Sequence, residues 1–263
     1  MTTQTTNRPN VANKQAILLF SFILLLLFPL ISSAQYGNPR IEALYNSGNF
    51  VEGPEFIRNV NALKIRPIHN VEGTRYYNEE WLPGEIVLID NVRTENLDLK
   101  MDALNNQVHF KVDENQILGL NSENVRSFYL QKGDEKIYFL NGYTYPRAGI
   151  TSETFLRVVH QGESVSLLAH HTAEIRESRT SIVATAGSVS GNFVHRTDYY
   201  LQKNNGELQK VRKLKKKHVL REFEEYDDEL ERFADQNDLD FRNEKDVAKI
   251  LAHFDKLSTR SSR

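Results

Sequence analysis

Apolar and polar residues change rhythm along this chain. Residues 16–31 form an almost unbroken apolar run rich in Leu, Ile and Phe. Residues 35–80 keep no steady period: Gly48, Gly53, Pro54, Pro67 and Gly73 interrupt short apolar patches such as 62–65. That stretch reads as an irregular lead-in packed on the body of the chain, with one short helix over 54–63. From Trp81 the period becomes two. Ile86-Val87-Leu88-Ile89 is a short continuous run, as in a strand buried on both faces. Leu97, Leu99 and Met101 alternate with polar residues, and so do Val108, Phe110 and Val112, the rhythm of a strand with one buried and one wet face. Further strands are predicted over 117–120, 125–130, 137–140, 155–160 and 165–171. The breaks at 113–115, 133–134, 141–142 and 161–162 carry Gly, Asn and Asp, which form turns readily. Residues 178–197, rich in Ser, Thr and Gly, read as a loop, alone or with a short strand at 182–185. After it, 198–203 and 207–212 flank Asn204-Asn205-Gly206, a hairpin signal.

In the tail the period lengthens to that of a helix. Val247, Ile250, Leu251, Phe254 and Leu257 fall on one helical face, with Asn243 placed to cap its start and Asp246 to favour its positive end. Tyr226, Leu230 and Phe233 form a second stripe, and a shorter helix is predicted over 213–221. A basic run from Lys210 to Arg221 meets an acidic run from Glu222 to Glu231. One continuous helix would oppose its own dipole, with cations first and anions last. A break near 223–225 reverses that penalty and is therefore predicted.

These patterns imply a mainly β chain with an α-helical C-terminal tail, an α+β fold. Strands spaced by about 8 to 14 residues leave no room for crossover helices, so pairing is antiparallel. An antiparallel sandwich and an open barrel, with two to three helices, both remain open. The organisation expected is a leader over 1–34, a lead-in over 35–80, an antiparallel β domain over 81–212 and a helical tail over 213–263.

The leader has the layout of a secretory signal. Arg8 and Lys14 precede the apolar run without any acid, Pro29 lies near its end, and Ser32-Ser33-Ala34 supplies small residues for cleavage. Cleavage after Ala34 is expected. The competing reading is an uncleaved anchor, although about 16 apolar residues fall short of the roughly 20 that span a bilayer. Both readings place the remainder outside the cytoplasm: periplasmic, associated with the outer membrane, or secreted.

Apolar residues are 40% and charged residues 26% of the chain, enough to build an ordinary core. The net charge is −2, and loss of Arg8 and Lys14 takes it to about −4. That mild acidity, with export, disfavours nucleic acid as a partner. No cysteine is present, which excludes disulfides, thiolate metal sites, cysteine nucleophiles and an acylated lipoprotein cysteine.

The segment Gly73-Thr74-Arg75-Tyr76-Tyr77-Asn78-Glu79-Glu80-Trp81-Leu82-Pro83-Gly84-Glu85-Ile86-Val87-Leu88 resembles uncharacterised exported proteins of Bacteroidota-type bacteria. More loosely the likeness runs over 71–257. It implies export and a β-rich architecture, and it assigns no activity to any residue.

No phosphate-binding glycine loop, HExxH or GxSxG occurs. Dispersed catalytic sets are recognised only by geometry. His160 and His170 are candidate metal ligands if 155–160 and 165–171 pair as a hairpin, with Glu174 and Glu177 nearby. Adjacent His170 and His171 would face opposite ways, and surface strand histidines are the plainer reading. Tyr76, Tyr77 and Trp81 could form an aromatic ligand platform or simply fill a core rim. Lys213, Lys215, Lys216 and Lys217 could contact an anionic surface, or be a solvated face neutralised by the acidic block. No cofactor is indicated. Candidate partners are envelope proteins, glycans and anionic lipid. The expected role is a non-catalytic binding or assembly module; the alternatives are a periplasmic hydrolase with a dispersed site and a barrel carrying lipid or another small ligand.

Overall fold

The two-residue rhythm is realised as strands of one sheet. The computed structural model describes residues 41, 49–51, 55–56, 60–177, 191–204 and 206–261. The leader expected over 1–34 and the short strand expected at 182–185 lie outside these residues.

Three two-residue strands come first: β1 (Asn49–Phe50), β2 (Leu63–Lys64) and β3 (Val71–Glu72). A run of long strands comes next: β4 (Leu82–Leu88), β5 (Val92–Asp102), β6 (Gln107–Asp113), β7 (Gln116–Asn121), β8 (Val125–Lys132) and β9 (Glu135–Leu140). The last four are β10 (Leu156–Gln161), β11 (Val165–Glu177), β12 (Gly191–Lys203) and β13 (Leu208–Val211). The main path is β13-β12-β11-β10-β9-β8-β4-β5-β6-β7-β2. All its pairs are antiparallel; β1 and β3 add short parallel pairs to β5 and β12. The sheet is open, ending on β13 and β2.

β4 sits between β5 and β8, so the chain leaves simple sequential order there. Ile86 and Val87 are fully buried on opposite faces, which explains the continuous apolar run. A Cβ at Gly84 would lie 2.1 Å from the Tyr129 carbonyl oxygen and 2.7 Å from Leu99 Cδ1. Glycine is required for the close passage of these strands.

The sheet curls. Ala173 in β11 donates a backbone hydrogen bond of 2.9 Å to Ala103, just after β5, although five steps separate these strands along the sheet. A strap over residues 71–77 crosses the same gap. β3 holds one end on β12. At the other end Tyr77 donates its backbone N–H to Met101 at 2.9 Å, and Arg75 accepts one from Ala103 at 3.0 Å. His195 Nε2 donates to the Thr74 carbonyl at 2.8 Å between them.

Aromatic rings fill the enclosed face. Phe128 and Phe139 stack at 4.8 Å, Phe155 meets Phe128 edge-on at 5.0 Å, and Phe56 meets Phe110 at 6.2 Å. All five are essentially inaccessible to solvent. Odd-numbered residues of β11 run from this core at Ala173 to a second cluster at Val165 and Leu167, where the helical tail packs. Even-numbered Leu168 joins Ile150, Leu156, Tyr200 and Leu208 on the other face. β11 is thus buried on both sides.

Three helices form the tail: α1 (Lys216–Leu220), α2 (Asp227–Gln236) and α3 (Glu244–Ser261). The predicted break falls at Phe223, whose backbone leaves the helical region (φ −134°, ψ 44°). Asn243 Oδ1 accepts the backbone N–H groups of Lys245 and Asp246, at 2.9 and 3.3 Å, and caps α3 as expected.

Two local expectations are corrected. Residues 191–197, read as loop, belong to β12 and pair with β11 in an uninterrupted register. Their polar sequence hides a strand whose ladder is made by backbone groups. The helix expected over 54–63 is helical at Glu55 and Phe56, but the chain is extended by Leu63, where β7 pairs with it.

Replacing Phe128 with Ala removes one ring of the stack and leaves a void. We expect a loss of about 3 to 5 kcal/mol in the unfolding free energy, read from urea denaturation.

Candidate functional site

Alternation along an extended strap sends neighbouring side chains to opposite sides. Tyr76 and Tyr77 are therefore separated, and each enters a different polar constellation.

Tyr76 lies on the outer side of β5 and β6 with Trp81, the ring centroids 6.3 Å apart. Lys100 Nζ sits over both rings, 4.8 Å from each centroid. Two of the three aromatics proposed as a platform thus hold the chain's own ammonium, and burial lowers the Lys100 pKa. Beneath them lies Asp102, fully buried. Its Oδ1 accepts the backbone N–H groups of Leu104 and Asn105 at 3.0 and 3.4 Å. Its Oδ2 pairs with Arg75 and lies 3.4 Å from His109 Nε2. That nitrogen also lies 3.2 Å from Gln107 Oε1, so it faces two acceptors and carries the proton. Nδ1 then accepts from the Tyr76 hydroxyl at 3.2 Å. Burial drives the His109 pKa down to about 4, against the pull of Asp102. Gly119 makes room for this ring: a Cβ there would lie 2.9 Å from His109 Cδ2.

Tyr77 faces inward, edge-on to Phe139 at 5.3 Å and to His171 at 4.7 Å. Here the aromatic core meets the helical tail. Arg157 Nη2 donates to both carboxylate oxygens of Glu244, at 2.7 and 2.6 Å, and Tyr199 donates to the same carboxylate at 2.5 Å. Arg157 Nε donates to His171 Nε2 at 2.8 Å. A guanidinium can only donate, so this histidine nitrogen accepts and the imidazole is neutral. Its proton is on Nδ1, directed at Thr197 Oγ1 2.9 Å away. Burial first, then Arg157, lowers the His171 pKa to about 3. Burial and the bond to Glu244 raise that of Tyr199.

The two histidines considered as metal ligands are not brought together. Register between β10 and β11 shifts at Val159, so that Val158 pairs with Leu168 but His160 pairs with Leu167. This bulge turns His160 to the helix side, where its Nε2 meets Asp255 Oδ2 at 2.8 Å. His170 pairs with Asp198 and faces the other way, its pKa lowered by burial. Asp255 Oδ1 also accepts the backbone N–H groups of Ser164 and Val165, at 2.8 and 3.2 Å. A Cβ at Gly162 would sit 1.6 Å from Asp255 Oδ2, so glycine admits the carboxylate to this turn. Glu244 and Asp255 fix α3 to β10 and β11 at two points. Glu174 and Glu177, at the far end of β11, are paired with Val194 and Gly191 across the ladder. No group of three or more metal-ligating side chains occurs among the described residues.

The lysines of the tail stand apart from these closed networks. Leu214 is buried, whereas Lys213, Lys215, Lys216 and Lys217 are exposed. Lys215, Lys216 and Lys217 line a depression of about 360 Å³ with Asp235, Asp240 and Arg242. Lys213 is not part of it. The buried Phe241 fixes the α2–α3 link, and Asp238, at φ 53°, turns it. Lys216 is paired with Glu231 and Arg221 with Glu222. Among the described residues, Lys215, Lys217 and Arg242 have no carboxylate within ion-pair distance. The acidic block begins before α2 and runs into it, and its Glu222 and Glu231 make the ion pairs just named with the basic run. His218, beside it, has its pKa lowered by desolvation and by Arg221, Arg212, Lys217 and Lys215.

Arg242 was not singled out by the sequence, because it sits in a polar link without periodicity. Arg157 and Glu244 were also missed. The available signal was a cation on a strand otherwise apolar at Phe155, Leu156, Val158 and Val159, and an acid in the first turn of a predicted helix. No protein-family model matches this chain, and comparison with curated proteins and with solved structures gives no match.

Glu244→Ala leaves the Arg157 guanidinium without its carboxylate beside an aromatic core. We expect a cost of about 3 kcal/mol by denaturant unfolding, with faster amide exchange concentrated in α3.

Acid should weaken the fold before carboxylates titrate. His171 and His109 titrate near 3 and 4 when folded, against about 6.5 when unfolded. Between these values the unfolded chain binds more protons. Stability is therefore full above pH 6.5 and declines as pH falls towards 4. Urea midpoints from pH 7.5 to 4.5 should show this fall, and His171→Asn should make it shallower. An equal slope in both chains refutes the assignment for His171.

Proposed function

We propose that this chain is an exported, non-catalytic binding or assembly module of the cell envelope. The observation that carries the reading is a contrast in how charge is used. The carboxylates of the two interior constellations are engaged by neighbouring groups: Asp102 by Arg75, His109 and two backbone N–H groups, and Glu244 by Arg157 and Tyr199. His171 is held neutral by a donor that never releases its proton. A hydrolytic site needs such groups convergent on open space and free to exchange protons. An open charged feature among the described residues is instead the basic depression on the tail, which is suited to holding a ligand.

The carrier alternative requires an apolar cavity of several hundred Å³. The enclosed face of the sheet is occupied by stacked phenylalanines. Export rests on the apolar leader and on the resemblance of residues 73–88 to exported proteins.

Fractionation of cells making the full chain with a C-terminal tag tests the reading. The tagged product should appear in envelope or periplasmic fractions, shortened by about 34 residues as the cleavage layout implies. Retention of the full-length chain in the cytosol would overturn the address. Turnover of glycan, peptide or ester substrates by the purified chain would overturn the non-catalytic role.

A further inference from the structure

We propose that the depression between the start of α1 and the α2–α3 link binds a phosphate-bearing component of the envelope, with Lys215, Lys217 and Arg242 holding the phosphate. This deepens the binding-module reading and rests on it.

Three observations converge. First, the cations come from two chain segments that are each fixed by a buried residue, Leu214 before α1 and Phe241 in the link. Their backbones are therefore held in place without a ligand. Second, the positive charge is only partly compensated. Lys216 is taken by Glu231, but Lys215, Lys217 and Arg242 are exposed and have no carboxylate partner among the described residues. Asp240 also lines the depression, its Oδ1 accepting the Arg242 backbone N–H at 2.9 Å. Asp235 and Asp240 both oppose the four lining cations, which still leaves a net positive site. Third, the space is adequate. A volume of about 360 Å³ accommodates a phosphate with a small organic group attached.

The mixture of residue types favours phosphate over a simple carboxylate. A guanidinium offers a planar fork that matches two phosphate oxygens, and two ammonium groups can each approach the remaining ones as point charges. A singly charged carboxylate would leave this set under-used. Leu239 and Phe241 give the depression an apolar side, which suits the organic part of a phosphate ester. Such a group can be presented by an anionic lipid headgroup or by a soluble phosphorylated glycan. Both carry the same recognised chemistry.

The purified chain is titrated with inorganic pyrophosphate, and separately with vesicles of phosphatidylcholine containing or lacking phosphatidylglycerol. Lys215→Gln, Lys217→Gln and Arg242→Gln are combined in one variant. Its far-UV spectrum and urea midpoint should match the parent, because all three side chains are exposed. We expect binding at low salt that weakens about tenfold or more in this variant and shows a reduced salt slope. Lys213→Gln, outside the depression, should change binding by less than about twofold. Response to pyrophosphate assigns the site to soluble phosphate esters. Response to phosphatidylglycerol vesicles alone assigns it to the membrane surface. Either supports the proposal. Failure to bind both probes, or binding that the triple substitution leaves intact, overturns it. The two failures are distinguishable: a chain found in the envelope that ignores phosphate defeats this inference alone, whereas a cytosolic chain that binds pyrophosphate defeats the envelope address and keeps only the phosphate site.

Discussion

One guanidinium joins the two halves of this fold. Arg157 lies where the phenylalanine core ends and the helical cluster begins, and its donors are divided between them: Nη2 to Glu244 on α3, Nε to His171 on β11. Tyr199 and Thr197 on β12 complete the set. Arginine alone could do this, since lysine has neither the span nor the fixed angles to serve two acceptors at once. A buried ion pair is weak evidence of net stabilisation, because desolvation offsets much of the attraction. Its effect here is on placement. It selects one docking of α3 on the sheet, and the His160–Asp255 contact near the other end of the helix fixes the direction of its axis.

The outer constellation does the same for the strap. Asp102 closes the turn after β5 through two backbone N–H groups and receives Arg75 from the strap, while His109 and Tyr76 fill the space beside it. Lys100 caps the group under Tyr76 and Trp81. Titratable residues are therefore plentiful inside this molecule yet directed at one another. The basic tail differs: the acidic block pairs with Lys216 and Arg221, while Lys215, Lys217 and Arg242 face the depression.

Much of the architecture was legible because burial recurs at fixed intervals. Leu97, Leu99 and Met101 gave β5, and Val247, Ile250, Leu251 and Phe254 gave α3. The charge reversal after Arg221 located a helix break that periodicity would have missed. What remained hidden has identifiable causes. Residues 191–197 lack apolar alternation because β12 is held by a complete backbone ladder to β11, which leaves no side-chain trace. The bulge at Val159 is likewise a backbone event, so the orientation of His160 could not be read from its neighbours. Separation of Tyr76 from Tyr77 was accessible from the alternation already applied to His170 and His171. The joint at Arg157 needed three-dimensional proximity across 87 positions, which no local pattern encodes.

The strap has a consequence for how the molecule is assembled. Thr74 is tied to His195, 121 positions later in the chain, while Arg75 is tied to Asp102, only 27 later. The nearer knot can be made once β5 exists. The farther one has to wait until β12 has been delivered and has found its place beside β11. A segment near the front of the polypeptide is thus finished among the last, after a long and entropically costly ring has been closed.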